Sequence, residues 1–97
     1  MSLSFLRTAI DQRIKLHIIY NNTKGGTSDS IVWPFALLFL NDSRVLLAKD
    51  ELSGGCRTLR TDKILRAESL NDPYPQWRIK LVREYCDYMI LHGFNIE

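Results

Sequence analysis

The apolar positions near the start of the chain change from helical to strand spacing. Over residues 4–12, apolar side chains recur at helical spacing, at Leu6, Ala9 and Ile10. This predicts a short amphipathic helix, with the Ser4 hydroxyl placed as an N-cap that accepts hydrogen bonds from the first free amides. From residue 15 the period becomes two and β-branched or aromatic residues are frequent, which predicts a strand with one apolar face, made by Leu16, Ile18 and Tyr20.

Turn-forming residues divide the following region into short segments. The Asn-Asn and Gly-Gly pairs within 21–26 tolerate positive φ, so they predict a hairpin into a second strand over 28–33. Pro34 has no amide to donate to a sheet ladder. We therefore expect this strand to end at Pro34 and a separate apolar stretch to follow at 35–40.

Two further turns complete a predicted sheet. The turn at 41–43 precedes a strand at 45–48 that is apolar on both faces, and the turn at 53–55 precedes a strand at 56–61. Strands this close together, without long helices between them, predict an antiparallel meander. In so small a chain the sheet should curl into a partly closed barrel, because closure leaves fewer exposed edges.

Helical spacing returns after the prolines at 73 and 75. One helical face is apolar and Gly93 is a suitable terminator; that face carries Trp77, Leu81, Tyr85, Tyr88 and Met89. We divide the chain into a barrel domain with its N-terminal helix, residues 4–70, and a C-terminal helical extension, residues 71–97. The extension either packs on the barrel or mediates association, since its other side carries Arg78, Lys80 and Arg83.

Composition and length narrow the class of protein. The 97 residues suffice for one hydrophobic core, and 45% hydrophobic with 25% charged residues is typical of a globular domain. The longest apolar run, Ile31–Leu40, is about half the roughly 20 residues that a membrane span requires. We predict no membrane segment. Cys56 and Cys86 form no CxxC motif, so we expect reduced thiols and a cytoplasmic protein, here as a domain excised from a longer chain.

Catalytic and metal-binding patterns are not apparent. His17 and His92 have no Cys or carboxylate at ligand spacing, and the two glycine pairs lack the residues of a phosphate-binding loop. No nucleophile motif or paired carboxylates stand out. We therefore predict a binding module that is not an enzyme and uses no metal or cofactor.

A local cluster of positive charge lies between residues 57 and 66. The net charge is only +2, yet Arg57, Arg60, Lys63 and Arg66 occur here with Asp62 as the only acid. Guanidinium groups on a rigid strand suit phosphate or other anions, although a solvated strand explains the same pattern. If Leu59 points inward, Arg60 points outward, and Arg57 joins Arg60 only at a strand end or bulge.

Several segments, taken in order, resemble the WYL domain, a module of bacterial transcriptional regulators that often follows a helix-turn-helix region. The segment 13–20 is similar to the family's basic lead into its first strand, and 32–37 resembles its V-x-P-x-x-L pattern. The most specific segment, 57–64, resembles R-x-F-R-x-D-R-I. The resemblance covers about residues 9–68. In place of the family's Trp-Tyr-Leu-Val-Ala, this chain has Arg44-Val45-Leu46-Leu47-Ala48, so the aromatic pair is absent.

The resemblance implies an SH3- or Sm-like barrel that senses a nucleotide or single-stranded nucleic acid. By position, Arg57, Arg60 and Lys63 would contact the ligand, and Arg44 would add a charge or a stacking plane where the aromatic is missing. DNA would be bound by a helix-turn-helix outside this chain. The alternative is a protein-protein interaction module, a homodimer for example, in which the barrel edge and C-terminal helix associate and no small ligand binds.

Overall fold

The computed structural model describes residues 3–22, 25–40 and 42–93 and shows a mainly β fold with one helix near each end. Two helices, five strands and one 3-10 turn follow in the order α1 (Leu3–Gln12), β1 (Ile14–Asn21), β2 (Thr27–Leu40), β3 (Ser43–Asp50), β4 (Cys56–Arg60), the turn Thr61–Lys63, β5 (Ile64–Pro73) and α2 (Arg78–His92). The predicted fold class is confirmed. No helix among the described residues is long and apolar enough to cross a membrane.

The five strands form one antiparallel sheet in the order β4-β3-β2-β1-β5. Within the described residues β4 and β5 are its two edges, so hydrogen bonding does not close the predicted barrel. The 3-10 turn nevertheless joins these edges directly, and the Tyr20 hydroxyl on β1 reaches the main-chain N–H of Arg60 on β4. The sheet is therefore strongly curled but open.

Pro34 does not end its strand, contrary to the prediction. β2 runs through Pro34, which lies opposite Ala48, and the register shifts between Pro34 and Ala36. A bulge tolerates a residue without an amide donor. The carbonyl of Pro34 accepts a hydrogen bond of 2.8 Å from the buried Tyr74 hydroxyl. Phe35 and Ala36 consequently face the same core cluster, and Leu37 returns to the other one.

Two other local features differ from what the sequence predicted. Helix α1 begins at Leu3, so Ser4 lies inside its first turn, where the Ser4 carbonyl accepts a hydrogen bond from Thr8; the predicted N-cap is wrong. Strand β5 was not predicted. Nearly all of its residues are exposed, so its sequence lacks the alternation by which a half-buried strand is recognised.

The core has two clusters, one on each side of β3. As predicted, Val45–Ala48 are buried on both faces. The first cluster lies between α1 and the concave side of the sheet and includes Leu6, Ile10, Leu16, Ile18, Tyr20, Val32, Leu46, Ala48 and Leu59. The second lies beneath α2 and consists of Phe35, Val45, Leu47, Tyr74, Leu81 and Tyr85. Gly93, with φ of 76°, caps α2 as predicted.

Candidate functional site

Arg57 lies on the inner side of β4, the side on which Leu59 enters the core. Its Nη1 donates a 2.8 Å hydrogen bond to Ser30 Oγ and is 4.0 Å from an Asp50 oxygen, and its guanidinium carbon is 5.9 Å from the Tyr20 ring centroid. Only 15% of its side chain is exposed. Arg57 therefore helps to hold β4 against β2 and β3.

The cleft beside Arg57 is acidic. It has a volume of about 410 Å³, and its walls include Ser30 and Asp50, the two partners of Arg57, together with Asp29 and Glu51. The Nε2 atom of His17 on β1 is within hydrogen-bonding distance of the Asp29 carboxylate. Three carboxylates beside one largely buried arginine do not favour an anionic ligand.

Arg60 points outward, as the alternation predicted. Its guanidinium makes two hydrogen bonds to Asp62, of 3.1 and 2.7 Å, a bidentate ion pair formed across the start of the 3-10 turn. About a third of the Arg60 side chain is exposed. Asp62 therefore both orients Arg60 and offsets its charge.

Arg44 and Arg60 meet at one cavity of about 290 Å³. Arg44 is exposed near the start of β3, and Val45, the next residue, pairs with Arg60 on β4. Thr61 donates a 3.3 Å hydrogen bond to the Arg44 carbonyl and closes this end of the strand pair. The cavity is lined by Phe39, Asp42, Ser43, Arg44, Arg60, Thr61 and Asp62.

Of the four predicted ligand-binding residues, two share a cavity and the other two lie elsewhere. Arg44 and Arg60 line the same cavity. Lys63 follows Asp62 at the end of the 3-10 turn and is partly exposed, but is not among the cavity's lining residues. Arg57 is three residues before Arg60, which is about 10 Å along a strand, and donates a hydrogen bond to Ser30, which lines the acidic cleft.

Phe39 and Arg7 also line cavities in this region, although the sequence did not predict either of them as a site residue. Phe39 lies directly opposite Arg44 in the β2–β3 pairing and is 67% exposed. It also lines a second cavity of about 110 Å³ with Arg44 and with Arg7 of α1. Phe39 belongs to an apolar run that is typical of buried core residues. Only its position next to the predicted turn at 41–43 indicates that it could be exposed. Val45, where the resemblance implies an aromatic, is fully buried beneath α2.

A further group of cations surrounds Trp33, whose ring stacks on Tyr74 at a centroid distance of 5.7 Å. The Nζ atoms of Lys15 and Lys49 lie 5.6 and 5.4 Å from the Trp33 centroid. The hydrogen bond from Lys15 to Glu51 raises the pKa of Lys15. The same hydrogen bond lowers the pKa of Glu51, and a hydrogen bond from Trp33 lowers it further. Each lysine forms an ion pair with a carboxylate, Lys15 with Glu51 and Lys49 with Glu84. Because their charges are already paired, these lysines stabilise the fold.

The described part of the chain contains no cluster of three or more His, Cys, Asp or Glu residues that could hold a metal ion. Cys56 and Cys86 are both free cysteines, Cys56 half-buried and Cys86 exposed. Burial raises the pKa of the Cys56 thiol, and the negative charge of Glu84 adds to this effect.

Comparison with known proteins identifies a family and a solved structure of similar fold. Residues 2–69 match the family model described as the WYL domain. Among solved structures, Proteasome accessory factor B/C (PafBC) of Arthrobacter aurescens is similar, with a TM-score of 0.67 and 20% sequence identity. The similarity covers 72% of this chain and 11% of that chain, and at this identity it concerns the fold. No curated protein matches the sequence significantly.

Proposed function

The chain belongs to the WYL domain family, and from this we infer that it is the effector-sensing domain of a bacterial transcriptional regulator. Its ligand would be an anion, a nucleotide or a single-stranded nucleic acid, bound in the cytoplasm. DNA binding would belong to a helix-turn-helix outside this chain. The proposed role is binding rather than catalysis.

The observation that carries this proposal is the convergence of Arg44 and Arg60 on an open cavity beside an exposed aromatic ring. The two side chains come from different strands whose pairing holds their main chains in register, so little further ordering is needed when a ligand binds. Lys63 extends the positive charge along the 3-10 turn. A ligand that contacted Arg57 as well would have to extend about 10 Å along β4.

Replacing Arg44 and Arg60 together by Ala tests this site. We expect the double variant to lose at least about tenfold in affinity for short single-stranded DNA or RNA or for nucleotides. A hydrogen bond to a charged group contributes about 1.5 to 3 kcal/mol. Isothermal titration at several salt concentrations measures the change, because phosphate contacts weaken as salt rises.

Arg66→Ala is the matched control for this experiment. Arg66 is an arginine on β5 that is 68% exposed and pairs with Glu68, away from the cavity. We expect its replacement to change the affinity less than twofold. If Arg66→Ala weakened binding as much as the double variant, binding would reflect overall positive charge and the proposed site would be wrong.

Helix α2 supports a second candidate, association with another copy of this chain. Beside its buried face, with Leu81 and Tyr85, it exposes an apolar stripe of Ile79, Val82, Cys86 and Ile90. These residues share one side of a helix. Arg83 and Asp87 lie beside the stripe.

In an antiparallel pair of α2 helices, the two apolar stripes would pack together and charged side chains beside them would be complementary. If Ile79 lies opposite Ile90 of the second copy, Arg83 falls near Asp87 of that copy, and the same pair forms twice by symmetry. We expect light scattering to show a dimer that Ile90→Asp disrupts. Leu52→Asp, in a turn at 97% exposure, is the control and should leave the mass unchanged. A monomer at all concentrations would exclude this candidate.

A further inference from the structure

Phe39 presents an aromatic ring at the surface next to the candidate cavity. The ring is 67% exposed at the end of a strand whose earlier residues, such as Val32 and Phe35, enter the core. Phe39 lies opposite Arg44, and the two residues line the same two cavities. The ring is therefore a shared wall of two adjacent cavities.

Three arginines from three elements surround this ring. Arg44 of β3 lines both cavities, Arg60 of β4 lines the larger one, and Arg7 of α1 lines the smaller one. An aromatic surface between cations is the combination by which single-stranded nucleic acids are bound, because bases stack on the ring and cations follow the backbone.

The acidic residues of the larger cavity restrict the ligand further. Asp42 and Asp62 line it together with Arg44 and Arg60, so its two negative charges offset its two positive ones. Asp62 also occupies the Arg60 guanidinium with two hydrogen bonds. A phosphate alone would gain little net electrostatic attraction here, whereas a nucleobase offers donors to the carboxylates and acceptors to the guanidinium groups.

We propose that Phe39 is the stacking surface for a nucleobase in this site, with Arg44 and Arg60 beside the base and Arg7 at the adjoining backbone phosphate. The ligand class is then a nucleobase-bearing anion rather than inorganic phosphate or a sugar phosphate. This inference rests on the proposed function of the same site.

The test compares Phe39→Ala and Phe39→Tyr with the unchanged chain. The probes are a short oligothymidylate, an abasic oligomer of the same length, a purine mononucleotide and ribose 5-phosphate. We expect Phe39→Ala to weaken binding of oligothymidylate about 5-fold to 150-fold, the change that a stacking contact of about 1 to 3 kcal/mol per base produces. Affinity for the abasic oligomer should not change, and Phe39→Tyr should retain binding.

Trp77→Ala is the control for loss of an exposed ring. Trp77 is 68% exposed, and the guanidinium carbon of Arg13 lies 4.0 Å from its ring centroid. Trp77 lines neither cavity beside Phe39. It should not alter the affinity for any probe. Circular dichroism should show that both alanine variants keep the fold, since neither ring is buried.

The outcomes separate this inference from the proposed function. If Arg44 and Arg60 are needed for binding but Phe39→Ala has no effect, or weakens the abasic oligomer equally, stacking is overturned and the proposed site stands. If the unchanged chain binds none of the probes, or replacing both arginines has no effect, the proposed function itself fails. Binding of oligothymidylate without the purine mononucleotide would identify single-stranded nucleic acid as the ligand source.

Discussion

The hydroxyl of Tyr20 accepts a 3.0 Å hydrogen bond from the main-chain N–H of Arg60, although two strands separate β1 from β4 in the sheet. Tyr20 is almost completely buried, so this bond links the core to the segment that carries Arg60 and Asp62. The ring of the same tyrosine faces the guanidinium of Arg57. One core residue thus contacts both arginines of β4, Arg57 and Arg60.

Replacing Tyr20 by Phe should lower the free energy of unfolding by about 1 to 2 kcal/mol. The substitution keeps the ring but removes the hydrogen-bond partner of the Arg60 amide. Urea unfolding followed by circular dichroism measures the change. A variant as stable as the original chain would show that the bond does not hold the curled sheet together.

Replacing Tyr85 by Phe should leave the stability unchanged or increase it. The Tyr85 hydroxyl is buried and has no hydrogen-bond partner among the described residues. Its removal avoids the cost of burying an unsatisfied polar group, about 1 to 3 kcal/mol. The same urea experiment serves both tyrosines, and a large loss at Tyr85 would indicate a partner for its hydroxyl, such as a bound water.

Replacing Asp62 by Asn should increase the affinity for anions several-fold. Asp62 holds Arg60 in a bidentate ion pair, and the neutral amide no longer offsets its charge. The increase should be largest at low salt, where charge interactions are least screened. Glu68→Gln, which disrupts the exposed pair with Arg66, is the control. Weaker binding by Asp62→Asn would mean that orienting Arg60 matters more than its charge.

The ion pair of Lys15 and Glu51 should make stability depend on pH at both ends of the range. The pKa of Glu51 is lowered from 4.5, so its contribution is present above pH 4.5 and is lost as the pH falls through the folded-state pKa. The pKa of Lys15 is raised from 10.5, so its contribution is present below pH 10.5 and is lost as the pH rises through the folded-state pKa.

The acid side of this window is the easier one to measure. Glu51→Gln should flatten the decrease in melting temperature as the pH falls from neutral through 4.5 and below. The fluorescence of Trp33 should change over the same range, because its indole N–H donates to Glu51. An identical pH profile for the variant and the original chain would contradict the prediction.

Cys86 should react with a thiol reagent much faster than Cys56. Cys86 is exposed on α2, whereas Cys56 is half-buried and has a raised pKa, so less of it is the reactive thiolate. Mass spectrometry after brief alkylation near neutral pH identifies the modified residue, and Cys86→Ser should remove the fast phase. Slow reaction of Cys86 at high protein concentration would favour the α2 dimer, which covers this thiol.

Local pattern was sufficient for most of the fold. Leu16, Ile18 and Tyr20 are buried as their alternation indicated, because a strand places every second side chain on the same face. The helix ending at Gly93 was equally predictable from its spacing and terminator. The prediction failed where context overrides pattern, at Pro34 in a bulge and along the exposed edge strand β5.

The candidate site required three-dimensional contacts. The family resemblance grouped Arg57 with Arg60, yet strand alternation, which already set the two apart, and the curl of the sheet turn Arg57 toward Ser30 and Asp50. Phe39 and Arg7 are far from the basic segment in sequence, and only the β2–β3 register and the packing of α1 bring them to Arg44. The sequence by itself determined both helices, the strands other than β5 and the supply of positive charge, because these depend on residue spacing of a few positions. The tertiary structure alone decided which charges share a cavity and which are already paired. Electrostatic and stacking contacts depend on distances between elements that are remote in the chain.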